Sequence, residues 1–314
     1  MMRVVVTGAN GFVGRALMAR LGSDGHDVVG AVRSGVDGSR FRHPMFDIGA
    51  DVGDRTDWSS VLDGADAVVH LVARTHRIDE RGLGELDAYR AVNVGGTRSL
   101  VRDAARAGVG RVVFVSSIKV NGECTGKRPF RADDRPAPED AYGTSKWEAE
   151  QAVWSIAHAA DVEAVVVRPP LVYGPECVGN FARLRDAVRA GAPLPFGSIR
   201  NRRSLIALDN LVDVLTRCIT HERAPGQTLL VSDGEDVSTP DLIERMAAAM
   251  DRRARLLAVP PFLLRGAGLL TGRQAQVRRL LDSLVVDSSD TRRLLEWVPP
   301  VTVDEGLRRA VAHD

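Results

Sequence analysis

Lysine is nearly missing from this sequence. Of 42 basic side chains only Lys119, Lys127 and Lys146 are lysines, and the rest are arginines. A residue that rare invites a question wherever it is kept. Cysteine is scarce too: Cys124, Cys177 and Cys218 are odd in number and far apart. Their pattern supports neither a disulfide framework nor a metal site. No apolar run approaches the ~18 residues that a membrane-spanning helix needs. An excess of either charge is also lacking, since the formal net charge is +1. Nothing global therefore points to nucleic acid or to an acidic membrane surface. The chain opens on a strand-like run, not on a charged-then-apolar leader, so a soluble cytoplasmic protein is expected.

What the chain does have is apolar content, 44% of 314 residues, enough for one large core or two modest ones. It is used at once. Val4, Val5 and Val6 are β-branched and suit a strand buried on both faces of a parallel sheet. Gly8, Gly11 and Gly14 follow at intervals of three, and residues 15–21 then read as a helix. A missing Cβ permits the tight turn, the approach of a pyrophosphate and the packing of helix on strand. The phosphates would rest on free N–H groups at the helix N-terminus. The order of strand, glycines and helix carries this dinucleotide signal; the glycines alone would not. A second strand over 26–32 ends at Arg33. NAD sites place an acid about 20 positions after the glycine turn to hold the ribose hydroxyls. Val32, Arg33 and Ser34 stand there, and none is acidic. A guanidinium and a hydroxyl would bind a 2′-phosphate that a carboxylate repels. NADP(H) is therefore the favoured cofactor, with NAD(H) open if Arg33 is an ordinary solvated charge.

Residues 45–48 and 67–73 (AVVHLVA) predict the third and fourth strands, 86–107 a long helix, and 111–117 (RVVFVSS) a fifth strand. Asn93 inside that apolar helix costs desolvation unless it is paired. Gly95-Gly96 costs roughly 1–2 kcal/mol against alanine, so a close neighbour is expected there. The fifth strand ends in Ser117, at the carboxyl edge where α/β sheets place their chemistry. Tyr142 and Lys146 lie one turn apart on a helix predicted over 140–159. A phenol with a pKa near 10 is a poor acid–base group at pH 7. A neighbouring ammonium and the positive nicotinamide of an oxidised cofactor would pull it down. Ser117, Tyr142 and Lys146 are thus the candidate catalytic triad, suited to hydride chemistry at a carbinol or ketone carbon. Further on, Thr239 is expected to cap a helix, and the chain from 258 is expected to be helical.

The stretches TGANGFVG, AVVHLVA, NVGGT, VSSIKVNG, YGTSK, RPPLVYGP and RRSLIALDNLVD together resemble the extended short-chain dehydrogenase/reductases of the nucleotide-sugar epimerase/dehydratase branch. The resemblance spans essentially the whole chain. It implies an α/β fold, a Rossmann-type doubly wound parallel sheet with a smaller C-terminal substrate-binding domain. Residues 1–172 with 205–223 would form the dinucleotide domain, and 173–204 with 224–314 the substrate domain. It implies cofactor contacts from Gly8, Asn10, Gly11, Phe12, Val13, Gly14, Arg33, Ser34, Leu71, Val72, Ala73, Asn93, Lys146 and Pro169. Asp51-Val52 would meet the adenine, with Asp47-Ile48 a rival placement. Substrate contacts would come from Ser117, Lys119, Asn180, Phe196, Arg203 and Arg279, the aromatic stacking on uracil and the arginines on the diphosphate. No metal is implied. The substrate would be a UDP-sugar, and a homodimer would pair helices 86–107 and 140–159.

Three reactions remain in that branch. Dehydration needs an acid–base pair after the catalytic hydroxyl, where Ile118-Lys119 stand instead. The SSIKVNG stretch, with Asn121 where epimerases commonly hold tyrosine, resembles reductases of UDP-linked 4-keto-6-deoxy-2-acetamido sugars in O-antigen synthesis. Together with Arg33, it makes NADP(H)-dependent 4-ketoreduction the expected activity. An NAD-dependent UDP-sugar 4-epimerase is the alternative. A catalytically silent NADP sensor is a third, disfavoured because the Tyr-x-x-x-Lys pair is kept.

Overall fold

The computed structural model describes residues 1–38, 41–75 and 85–312. Strand β1 (Arg3–Thr7) is the centre of the architecture. Its alternation sends Val4 and Val6 into one apolar layer and Val5 into the other. All three are fully buried. Helix α1 (Phe12–Ser23) follows the glycine turn. Then come β2 (Asp27–Val32), β3 (Met45–Asp47), the short α2 (Ser59–Leu62) and β4 (Ala67–His70). The strand predicted over 67–73 stops at His70, because the amides of Leu71 and Val72 leave the sheet for the Thr7 hydroxyl.

The long helix expected over 86–107 is interrupted. It runs as α3 (Glu85–Tyr89), a wide π-helical stretch (Arg90–Gly95) and α4 (Gly96–Arg106). The two glycines explain the packing. A Cβ on Gly95 would stand 2.9 Å from the Asp54 amide, and one on Gly96 2.6 Å from Val52 Cγ1. Next are β5 (Arg111–Val115), α5 (Ala141–Ala160), β6 (Glu163–Arg168) and β7 (Leu171–Tyr173). Asp140 caps α5 by accepting from the Gly143 amide at 2.7 Å, and Asp161 closes it with a left-handed φ of 54°.

The remainder comprises α6 (Asn180–Arg189), β8 (Arg203–Ala207), α7 (Leu208–Thr220), β9 (Thr228–Leu230), β10 (Asp236–Val237) and α8 (Thr239–Ala248). Four more helices end the chain: α9 (Pro261–Leu270), α10 (Gln274–Leu281), α11 (Ser289–Leu294) and α12 (Val303–Ala312). Ser238 caps α8, not Thr239, whose hydroxyl donates instead to the Leu280 carbonyl at 2.6 Å. The tail is not wholly helical either, since Leu284 and Val286 bridge to Arg203 and Phe130 as extended chain.

Seven parallel strands run in the order β3-β2-β1-β4-β5-β6-β9. The chain winds out to one edge and returns through the centre to the other, which is a doubly wound Rossmann-type sheet. Helices α1 and α7 cover one face with Leu17, Leu21, Leu211 and Leu215; α4 and α5 cover the other with Leu100, Val101, Ala149 and Val153. A second sheet, β10-β8-β7, backs a separate core around Tyr173, Phe181, Ile243 and Leu307. Strand β9 joins the first sheet although it follows residue 223 in sequence. No helix among the described residues is long and apolar enough to cross a membrane.

Candidate active site

The reversal of strand order at β1 and β4 opens a crevice at the carboxyl ends of the strands, and the glycine turn lines it. Gly8 has φ 67°, which favours glycine, and a Cβ there would press on the Val72 amide at 3.2 Å. A Cβ on Gly14 would strike the Gly8 carbonyl at 2.3 Å, so only glycine lets α1 pack this closely on the turn. Gly11 precedes α1 without a side-chain cap. The first N–H groups of α1 thus have no side-chain acceptor, the arrangement that receives a pyrophosphate. The residues present fit a dinucleotide. Asn10 is exposed beside this turn, and Phe12 packs beneath it against Gly174 and both cores. Val13 and Leu71 are half-buried in the apolar layer on the α1 face of the large sheet, and Val72 in the layer on its α5 face.

At the far end of the crevice the fold supplies an acid. Val32 of β2 is paired with Asp47 of β3. The Asp47 carboxylate accepts from the Ser34 hydroxyl at 2.7 Å and from the Gly49 amide at 2.8 Å. Both bonds hold its pKa below the usual carboxylate range. Val32, Arg33 and Ser34 are not acidic, but the neighbouring strand brings the Asp47 carboxylate up to Ser34. Arg33 is exposed and makes no ion pair among the described residues, while Ser34 already donates to a carboxylate. Asp51 is exposed, and Val52 is buried against Gly96.

Ser117 leaves β5 and starts a single 3₁₀ turn (Ile118–Val120), its hydroxyl accepting from the Lys119 amide at 3.3 Å. Its side chain is hydrogen-bonded to Tyr142 on α5. Lys146, one turn on, is only 1% exposed, with Nζ 4.0 Å from the Phe114 ring centroid. Burial pulls its pKa down to about 7, opposed in part by Glu150. Tyr142 moves the other way from the expected direction. Burial and then the Asp140 carboxylate push it up to about 12. Ammonium and phenol share a face, but the protein's own groups leave the phenol firmly protonated at neutral pH.

Asn93 and Pro169, and several residues that the sequence did not flag, among them Glu150, Arg168 and His70, hold this arrangement. Asn93 bridges the Arg74 backbone, accepting from its amide at 2.7 Å, and donates to Ser145 Oγ at 2.9 Å. Ser145 in turn donates to the Tyr142 carbonyl at 2.8 Å. Asn93 thus has the partner its burial demands. Beneath Lys146, Glu150 is fully buried and takes two bonds from Arg168, at 2.9 and 2.6 Å, and one from Ser116. Arg168 also donates to Asn121 at 3.0 Å. His70 lies between Thr7 and Thr97, at 2.7 and 3.1 Å, and burial with the nearby Lys146 holds its pKa down to about 3. The Pro169 carbonyl accepts from the Ile118 amide at 3.0 Å, tying β6 to the serine turn.

Opposite Tyr142, three of the expected substrate residues converge. Lys119 Nζ pairs with Glu123 at 2.7 Å and with Asp140. Arg279 reaches the same carboxylates, 3.6 Å from Glu123 and 4.0 Å from Asp140. Arg203 is half-buried, donates to the Asp282 carbonyl at 2.9 Å, and has its pKa lowered first by burial and then by Arg279. Asn180 is exposed at the start of α6, and Phe196 packs half-buried on the second core. Among the described residues no His, Cys, Asp or Glu cluster could hold a metal.

A doubly wound sheet with an uncapped glycine turn and a Ser–Tyr–Lys constellation at its carboxyl edge defines a dinucleotide-dependent oxidoreductase. The chain belongs to the NAD dependent epimerase/dehydratase family, which matches residues 4–231. It is an extended short-chain dehydrogenase/reductase. A UDP-glucose 4-epimerase of Vibrio cholerae is 42% identical over 309 residues, covering 98% of this chain and 93% of that one. A 2-alkyl-3-oxoalkanoate reductase of Stenotrophomonas maltophilia (strain K279a) is 30% identical over 343 residues, covering 99% of both. The fold is also that of a UDP-glucuronic acid 4-epimerase from Bacillus cereus solved with NAD. That structure has a TM-score of 0.79 at 20% identity, over 99% of this chain and 98% of that one.

Proposed function

We propose that the protein is an NAD-dependent 4-epimerase of a UDP-linked hexose. Asp47 is the observation that carries this choice. A carboxylate bonded to Ser34 at 2.7 Å repels a 2′-phosphate and suits the two ribose hydroxyls. NAD specificity suits an enzyme whose cofactor is reduced and reoxidised within one turnover. The 42% identity to a UDP-glucose 4-epimerase supports the substrate class.

The glycine turn and the N-terminus of α1 would hold the dinucleotide, which would supply the hydride acceptor, and then the donor, for the sugar C4. With the positive charge of the oxidised nicotinamide beside it, Tyr142 would enter as the phenolate, take the proton of the C4 hydroxyl as the hydride leaves, and give it back when the ketone is reduced. Ser117 donates to the same oxygen and steadies its developing charge. Lys146, in its ammonium form, favours the phenolate and binds the nicotinamide ribose. Arg203, Arg279 and Lys119 supply cations for the diphosphate, with Glu123 and Asp140 fixing their positions. Asn180 and Phe196 line the nucleotide end. The dinucleotide lies on residues 1–172 with 205–223, and the sugar nucleotide between these and the rest. Two copies pair through α3–α4 and α5, where Trp147, Trp154 and Ile156 are half-buried. The setting is the cytoplasm.

A second reading is NADP(H)-dependent reduction of a UDP-linked 4-keto-6-deoxy-2-acetamido sugar for O-antigen. The exposed Arg33 favours it. Incubation with UDP-glucose or UDP-N-acetylglucosamine and no added cofactor separates the two. An epimerase forms the C4 epimer by proton NMR; a reductase leaves both sugars unchanged and consumes NADPH only with a 4-keto substrate.

A further inference from the structure

A surface helix normally buries its apolar stripe and turns its polar face outward. Helix α9 does the reverse. Phe262, Leu263, Leu269 and Leu270 are 69%, 52%, 66% and 89% exposed. At about 100° per residue they share one face, and Gly268, the buried residue of the helix, lies on the opposite side against Val277 of α10. Leu257, just before the helix, is 51% exposed as well. Large apolar side chains gathered in this way mark a surface that meets something.

Charge says what that is. From residue 252 to 281 the chain carries Arg252, Arg253, Arg255, Arg265, Arg273, Arg278 and Arg279, and no acid. The whole-chain charge of +1 averages this stretch away. Arg252, Arg253, Arg255, Arg265 and Arg273 are all exposed; Arg265, on α9 itself, also pairs with Asp282 at 2.6 Å. A second copy docked symmetrically on this face would set arginine against arginine. A bilayer with anionic headgroups satisfies both halves of the pattern: apolar side chains enter the acyl boundary and guanidinium groups rest on phosphates.

We propose that α9 and its flanking arginines form a peripheral docking site for an anionic phospholipid surface. Because α9 packs on α10, whose Arg279 reaches Glu123 and Asp140 beside Tyr142, docking sets the rim of the catalytic crevice against the membrane. This site is independent of which reaction the crevice performs.

Vesicle flotation tests it. The full chain should float with phosphatidylglycerol–phosphatidylethanolamine vesicles roughly tenfold more than with phosphatidylcholine alone, and lose that binding in high salt. Phe262→Ser with Leu270→Ser, and separately Arg253→Glu with Arg273→Glu, should each abolish flotation. Both pairs are exposed and outside the crevice, so cofactor binding and turnover of a soluble UDP-sugar should persist, showing that the variants fold. Equal flotation on both vesicle types overturns the proposal. So does a solution dimer of the full chain that the Phe262/Leu270 pair dissociates, since a second copy would then own the face.

Discussion

Lys146 serves two opposed demands. The proposed catalysis wants its charge near Tyr142, whereas burial disfavours that charge and pulls its pKa to about 7 from the ordinary 10.5. Between these values the unfolded chain holds the proton and the folded chain does not. This group's contribution to stability therefore rises with pH across 7 to 10.5, and its penalty is greatest below 7. Lys146→Met should abolish turnover yet melt at least about 2 °C above the wild type near pH 7, with the gap closing toward pH 10. A variant that melts lower at pH 7, by calorimetry, contradicts the assignment of a costly buried ammonium. Asp47 yields a second prediction at this scale. Asp47→Ser removes the charge facing a 2′-phosphate, so NADPH affinity should rise at least about tenfold, the order of one removed like-charge contact, while NADH weakens. Fluorescence titration measures both, and unchanged NADPH affinity would sink the role. The proposed triad could be picked out because Tyr142 and Lys146 are a turn apart in sequence and lysine is rare. Asp47 was not, because its place beside Ser34 depends on strand pairing across a loop.

Among the elements, the glycine turn with α1 and the strand run of β1 were legible from local chemistry alone: β-branched residues, then glycines at fixed spacing. The π-helical stretch was not. Asn93, Gly95 and Gly96 announced a close neighbour, but its identity, the loop through Val52 and Asp54, is tertiary. The tail beyond residue 258 read as helix because short extended bridges such as Leu284 to Arg203 carry no periodic signal. Helix α5 and strand β6 are joined by Glu150 and Arg168, whose spacing gave no hint of a buried pair. Removing one partner strands the other charge in a dry site. Arg168→Met should therefore destabilise the fold by about 3–5 kcal/mol, measured by urea unfolding. The double variant with Glu150→Met should recover much of that loss. A single variant as stable as the wild type would mean that the pair is solvated.

At the scale of the whole molecule, two cores of unequal size share one crevice. The larger carries the glycine turn proposed to hold the dinucleotide, and β8 and α10 bring Arg203 and Arg279 to the acids around Lys119. Sequence pattern alone reached the Rossmann-type sheet, and the Ser117, Tyr142 and Lys146 it singled out stand together in the structure. The acid beside Ser34 was hidden because it lies on a neighbouring strand, and the arginine-rich stretch over 252–281 because the net charge averages over the chain. The reaction itself turns on whether one hydride leaves C4 and returns within a single turnover. UDP-glucose carrying deuterium at C4 tests this most directly when incubated with the protein and no added dinucleotide. UDP-galactose should form with the deuterium retained at C4, read by NMR and mass. Absence of galactose, with NADPH consumed in equal amount to a UDP-4-keto sugar supplied instead, would contradict the epimerase.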